Sequence, residues 1–232
     1  MTTADRIVKV LRPEAPGQQF MADEVPLINQ LAVMWDLRAG RAPAVKLRRI
    51  HNPEAFFAAV RKLTGPLDNT QVETINDLLS AAAHWPLGWL AYGFATAWHE
   101  ALLKPIEEWG RGKGRPYAKP GKYGQSQHGR GLVQLTWDRN YEWADKELGL
   151  NGALLKDFNL ALKPEYATAI LVRGMETGAF TGKGLSDYIK SDAGTLAEFT
   201  AARRIINGTD KAALIAGHAE KFRAALVAGG WA

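Results

Sequence analysis

Glu100 and Glu108 stand eight residues apart, one closing an apolar, helix-forming run and the other entering a glycine-rich stretch. Two carboxyl groups so placed can share the work of acid/base hydrolysis, one giving a proton to a leaving oxygen and the other taking one from water. On a straight helix eight residues would part them by about 12 Å. Inverting cleavage of a glycosidic bond asks for roughly 6.5–9.5 Å, so the chain must bend between them. Pro105 supplies the bend, because it lacks an N–H and pushes Lys104 out of the helical region. Burial of Glu100 among Trp98, Leu102 and Leu103 is expected to favour its protonated form and make it the acid, with Glu108, beside Gly110 and Arg111, as the ionised base. The same residues also fit a plainer role, a polar helix end and a solvated surface charge, and spacing alone does not choose.

A polar run follows. Gln134, Thr136 and Asn140 are interleaved with Val133, Leu135 and Trp137, and alternation would set the polar groups on one face, where they can hold hydroxyls and a water. The run also reads as a strand entering a helix capped by Thr136 or Asp138. The preceding loop, 110–131, carries Tyr117, Tyr123 and His128 without helical period, and long loops of this kind are more often functional than idle. Within it Gly110-Arg111-Gly112-Lys113-Gly114-Arg115 lacks the Lys-Ser/Thr pair of a phosphate-binding loop. His99-Glu100 lacks the second histidine four residues on that a zinc helix requires, Leu103 standing there instead, so no metal is expected.

These groups need a frame, and the sequence spells a helical one. Asn52-Pro53-Glu54 reads as a cap with proline in the first turn, and Phe56, Phe57, Val60 and Leu63 form an apolar face ending at Gly65. Asn69 or Thr70 opens a second helix through Leu79. A third, over 87–104, is apolar nearly all round and belongs in the middle of a core. Further helices are predicted over 137–148, 164–176, 186–190, 195–206 and 211–227, with 133–136 as a short strand.

With 232 residues, 47% hydrophobic and 23% charged, the chain can bury a sizeable core. Pro13, Pro16, Pro26 and Pro43 and the basic cluster Lys46, Arg48 and Arg49 mark residues 1–50 as an extension or small accessory unit, with a short helix predicted over 25–37, ahead of a domain over 51–232. The absence of cysteine excludes a disulfide scaffold and thiolate chemistry. A net charge of +5 and a pI near 9.4 suit an acidic polymer as partner. Basic residues with Trp and Tyr also line nucleic-acid grooves, but these aromatics fall mostly at helix-core spacing, so nucleic acid is not the expected partner. The most apolar run, 81–103, is interrupted by His84, Pro86, His99 and Glu100, and no membrane span is expected. The N-terminal residues lack the apolar segment of a secretory signal, which makes the cytoplasm the expected compartment.

The series His99-Glu100, Pro105-Ile106-Glu107-Glu108, the basic glycine segment through Pro116-Tyr117, and Gly129-Arg130-Gly131-x-x-Gln134-Leu135-Thr136-Trp137-x-x-Asn140-Tyr141 resembles glycoside hydrolase family 19, in its bacteriophage endolysin branch. Phe180-Thr181-Gly182-Lys183, Leu185-Ser186-Asp187-Tyr188 and Ala202-Arg203-Arg204-Ile205-Ile206-Asn207-Gly208-Thr209-Asp210 extend the likeness over about residues 54–226. It implies a mainly α, lysozyme-like, two-lobed helical domain with a long Gly-rich active-site loop and little or no strand. It also implies cleavage of β-1,4 bonds to N-acetylated amino sugars, with inversion, by Glu100 as acid and Glu108 as base. Thr136 falls where the family holds the attacking water, and Gln134, Asn140 and Asn207 fall on sugar-binding positions. Tyr123 and His128 complete the expected substrate contacts, and Glu107 is the adjacent alternative for the base.

The chain departs from the family pattern in two places. Ala101 and Leu102 follow His99-Glu100 where Thr and often Gly are usual, and Gln127-His128 precede Gly129 where one or two Tyr are usual. The expected substrate is peptidoglycan, with chitin as the alternative, and a silent wall-binding or phage structural module is the rival from another class. No metal or organic cofactor is expected, and a monomer is. The resemblance further implies residence in the host cytoplasm until a holin-like pore or lysis gives access to the wall.

Overall fold

In the computed structural model, which describes residues 47–232, the first helix opens as its sequence dictates. Asn52 Oδ1 accepts the Ala55 N–H at 3.0 Å, Pro53 takes the first turn, and α1 (Pro53–Thr64) stops at Gly65. The helix after it, α2 (Asn69–Ala81), is capped one residue earlier than expected. Asp68 and Gln71 exchange side-chain-to-backbone bonds of 2.9 and 3.0 Å, a capping box that satisfies two otherwise orphaned N–H groups. As its all-round apolar sequence predicts, α3 (Leu87–Ala101) is central, with Leu90 through Ala97 buried without a break. It ends three residues short of the predicted Lys104.

A ribbon of two strands follows, β1 (Ile106–Glu107) and β2 (Arg130–Gly131), and then α4 (Asp138–Glu147), α5 (Ala153–Lys156), α6 (Pro164–Thr177), α7 (Leu185–Tyr188), α8 (Leu196–Ala202) and α9 (Ala212–Ala228). Tight 3₁₀ turns interrupt the series at Trp109–Gly112, Pro116–Ala118, Phe158–Leu162 and Arg203–Ile205. The described residues are thus mainly helical. The helix expected over 195–206 is in fact α8 continued by a 3₁₀ turn, and α5 has no counterpart in the sequence reading.

Packing follows the apolar faces. Along α3 lies α9, with Phe94 and Phe222 stacked at 5.4 Å, and α1 and α8 cover α9. On the other side α2 pairs with α6, while the ribbon and α5 gather around the Phe158–Leu162 turn. There the Tyr141 and Phe158 rings stack at 3.8 Å, and the buried Arg130 guanidinium lies 5.9 Å from each. Its Nη1 donates to the carbonyls of Ser126 and His128 and to the Tyr141 hydroxyl, which ties the end of the long loop to the core.

The predicted helix over 25–37, Lys46 and the four prolines of the N-terminal region lie outside the described residues. Arg48, from the basic cluster, bonds the Trp85 carbonyl at 2.7 Å and the Asp192 carboxylate at 2.8 Å. Arg49 and Ala232 exchange backbone bonds, and His51 and Asn52 both donate to the Gly229 carbonyl at 2.9 Å. Residues 48–52 are therefore bonded to the packed helices. No helix among the described residues is long and apolar enough to cross a membrane.

Candidate active site

Glu100 sits in the last turn of α3. Pro105 does not make the bend that follows. Leu102 and Leu103 do, both in the left-handed region at φ 51° and 57°, with the Leu103 N–H returning to the Ala97 carbonyl at 3.1 Å. Each such residue costs roughly 1–2 kcal/mol when it is not glycine. Tertiary contacts hold the turn: Gln71 Nε2 donates to the Leu102 carbonyl at 2.9 Å, and Lys104 forms an ion pair with Asp68. The expected apolar surround of Glu100 is only partly present, since Leu103 is buried but Leu102 is 56% exposed. Its closest partner is instead a cation. Arg203, 3% exposed, places Nη1 2.6 Å from Glu100 Oε1 and Nε 2.9 Å from the Asp210 carbonyl.

Glu108 stands just past the ribbon. In the antiparallel pair Ile106 faces Gly131 and Glu107 faces Arg130, and the Glu108 N–H continues the ladder to the Gly129 carbonyl at 2.8 Å. One carboxylate oxygen of Glu108 accepts the Gly129 N–H at 3.1 Å and the other accepts the Tyr117 hydroxyl at 2.7 Å. That bond lifts the Tyr117 phenol above its ordinary titration range. Gly112, at φ 66°, makes the approach possible, since a Cβ there would lie 2.3 Å from the Tyr117 ring.

Glu107, the alternative base, is tied differently. Its oxygens take Arg111 at 3.0 and 3.1 Å and His128 Nε2 at 3.2 Å, with Arg130 Nε at 4.0 Å. Burial pushes this carboxyl up, but the hydrogen bonds from His128 and Arg111 outweigh it and the group titrates below the ordinary glutamate value. His128 is itself 2% exposed, with Nδ1 2.8 Å from Ser126 Oγ. Burial, aided by nearby Arg130, holds its ring below the usual histidine value. The expectation that His128 meets a substrate is corrected accordingly: it is a packed, hydrogen-bonded support of the loop.

The polar run does not alternate as a strand. Gln134 adopts φ 52°, and of residues 133–136 only Leu135 bridges, to Arg130. The turn nonetheless gathers its polar groups. Gln134 Nε2 reaches the Ile106 and Gly131 carbonyls at 3.2 and 3.1 Å, Thr136 Oγ1 donates to the Gln134 carbonyl at 2.8 Å, and Asn140 Nδ2 donates to the Thr136 carbonyl at 2.7 Å. Neither Thr136 nor Asp138 caps α4. Trp137 holds the cap position, and Asp138 Oδ2 accepts the Lys122 N–H.

Gln134, Thr136 and Asn140 line a cleft of about 140 Å³, with Val133 and Leu135 beside them and Phe180 and Ile206 completing the wall. Thr181 Oγ1, bonded to the Arg204 and Ile205 carbonyls at 2.7 and 3.0 Å, joins the Phe180 and Ile206 segments. Neither carboxylate lines this cavity, which meets each of them through a neighbour. Gln134 bonds the strand that leads to Glu108, and the Ile206 N–H bonds the carbonyl of Arg203, which holds Glu100. Asn207 is exposed one residue further on. Tyr123 is elsewhere than expected: its hydroxyl bonds Glu142 at 2.8 Å and its ring packs edge-on against Phe158, so it fastens the loop to α4.

Three contributors were given no role from sequence. Arg203 had a signal, a charge inside the apolar pattern of a predicted helix, which burial permits only with a partner. Tyr117 and Phe180 stand in the motifs that carry the resemblance, but their contacts are set by loop geometry that no local pattern announces. Among the described residues no group of three or more His, Asp or Glu is placed to hold a metal ion. The likeness to glycoside hydrolase family 19 rests on the quoted motifs, for the chain matches no family model, no curated protein and no solved structure.

Proposed function

We propose that the chain is an endolysin-type glycosidase that cleaves β-1,4 bonds of peptidoglycan with inversion, on a lysozyme-like, two-lobed helical fold. The observation that carries the reading is the cleft lined by Gln134, Thr136 and Asn140, in which Gln134 is bonded to the strand leading to Glu108 while the Ile206 side adjoins the turn that holds Glu100. In this reading Glu100, ion-paired with Arg203 in the free chain, takes up a proton before it gives one to the glycosidic oxygen, and Glu108 takes one from water on the opposite face. Thr136 has spent its hydroxyl proton on the Gln134 carbonyl, which leaves its oxygen free to accept from that water and aim it. The Tyr117 hydroxyl and the Gly129 N–H fix the Glu108 carboxylate in one orientation. Gln134, Asn140 and exposed Asn207 supply amide groups for sugar hydroxyls and acetamido groups. The net charge of +5 favours an anionic wall polymer over neutral chitin. Access to the wall from a host cytoplasm, through a holin-like pore or on lysis, is part of the same proposal.

The bonds that hold Glu100 and Glu108 would equally serve a silent, wall-binding module. Digestion of purified peptidoglycan and of chitin oligomers by the wild type and Glu100→Gln, with mass spectrometry of the new ends, separates the readings. New reducing ends from peptidoglycan that fall by ~10² fold or more in the variant are expected. Binding without new ends would establish the silent module, and activity on chitin alone would move the substrate.

A further inference from the structure

We propose that Trp109 is a stacking platform for one pyranose ring of the glycan, a subsite on the Glu108 side of the cleft; the inference rests on the glycosidase reading above. Trp109 is 99% exposed and directly follows Glu108. An indole left wholly in water gives up about 25 cal/mol for each Å² of apolar surface it could bury, so an indole this exposed next to a candidate catalytic carboxylate offers a face on which a ligand can be buried. The backbone at its root is held by hydrogen bonds. The Glu108 carbonyl accepts the Arg111 N–H at 2.9 Å, and Gly110 and Arg111, at φ 68° and 50°, close the turn with Trp109 at its start. The root of that turn is Glu108 itself, fastened to Gly129 and Tyr117.

A second partly exposed aromatic is linked to Glu108 through Tyr117. Trp137 is 39% exposed and meets the Tyr117 ring edge-on at 5.6 Å, and the Tyr117 hydroxyl is the one bonded to Glu108. Trp109, Tyr117 and Trp137 are therefore all tied to one carboxylate. A pyranose ring carries C–H groups on its faces and hydroxyls around its rim. Its face fits a flat indole, and its rim is left for polar groups and water. A lipid surface is the other natural occupant of a lone exposed tryptophan, and the turn's attachment to Glu108 favours the sugar.

The test compares the wild type with Trp109→Ala and Trp109→Tyr, each also on the Glu100→Gln background for binding of β-1,4-linked N-acetylglucosamine oligomers. Trp109→Ala is expected to weaken oligomer binding and raise KM on peptidoglycan about tenfold, the order of one ring stacked on one aromatic, by more than kcat falls. Trp109→Tyr should recover part of the loss. The melting temperature should not move, because a side chain this exposed packs on nothing. Unchanged oligomer binding in Trp109→Ala overturns the platform. So does a loss confined to anionic phospholipid vesicles, which would assign the residue to a membrane. Failure of the wild type to release reducing ends refutes the glycosidase reading instead, and oligomer binding still decides Trp109.

Discussion

Exchanging Arg203 for Met removes the guanidinium that grips Glu100 at 2.6 Å and the Asp210 carbonyl at 2.9 Å, while filling most of the same volume. The pair is largely out of water, with side chains 3% and 19% exposed. Stripping one partner from a buried pair costs about 3–5 kcal/mol, and partial hydration of Glu100 and of the exposed Asp210 trims this to about 2–3 kcal/mol. For a domain of this size each kcal/mol moves the melting temperature by about 2–4 °C, so Arg203→Met should melt about 4–12 °C below the wild type. The sharper measurement is a cycle with Glu100→Gln and the double variant, read by urea unfolding. Glu100→Gln leaves Arg203 buried without its counter-charge, so removing the guanidinium next should cost less than it does in the wild type. A coupling of about 1–3 kcal/mol is expected for residues in such contact. Single effects that add to within about 0.5 kcal/mol would refute the claim that this ion pair anchors the end of α3 to the turn after α8.

Gly112→Ala puts a methyl group 2.3 Å from the Tyr117 ring and should push that hydroxyl off Glu108, lowering kcat about tenfold, the worth of one hydrogen bond to a charged group. Tyr117→Phe should reproduce the rate loss without the backbone strain, and steady-state kinetics showing full turnover in both would remove Tyr117 from the site. Glu198 gathers the Ser191 hydroxyl at 2.7 Å and the N–H groups of Lys190, Ser191 and Thr195, and these bonds, the hydroxyl first, hold its carboxyl at about 2, below the ordinary 4.5. A depressed carboxyl stabilises the fold above its unfolded value and loses that contribution as pH falls from about 4.5 towards 2. Urea midpoints should therefore drop less steeply over that window in Glu198→Gln, and parallel wild-type and variant curves would count against the assignment.

Local chemistry was what the sequence displayed best. The cap at Asn52, the proline at Pro53, the stop at Gly65 and the helix over 164–176 are written in residue types that leave the backbone little choice. The end of α3 was hidden because Leu102 and Leu103 favour helix. Only contacts from Gln71 and Asp68, some thirty positions upstream, override that preference, and no local pattern announces them. The alternation at 133–136 misled because a single left-handed residue, Gln134, reverses which way the side chains point. His128 and Tyr123 looked like ligand contacts because polar aromatics on a glycine-rich loop usually face outward. Here both are spent fastening that loop, one to Glu107 and the other to Glu142. Glu100 and Arg203 lie 103 positions apart, a pairing that only the folded chain reveals.

Glu107 and Glu108 read as interchangeable in a string of letters, but on a ribbon neighbouring side chains leave by opposite faces. Odd and even positions have divided the two acids, one spent on Arg111 and His128, the other turned to Tyr117 and Gly129. The division is a matter of parity. The stretch between Ala101 and Ile106 works as a ruler, and shortening it by one residue would slide the ribbon a notch and swap the acids, bringing the salt-bridged one to the Tyr117 side. Lengthening the turn around Gly124, in the loop that joins the two strands, changes the count on neither strand and leaves each acid where it is. Insertions and deletions on the two sides of β1 thus have opposite meanings, decided by whether they fall before or after the rungs that set the count.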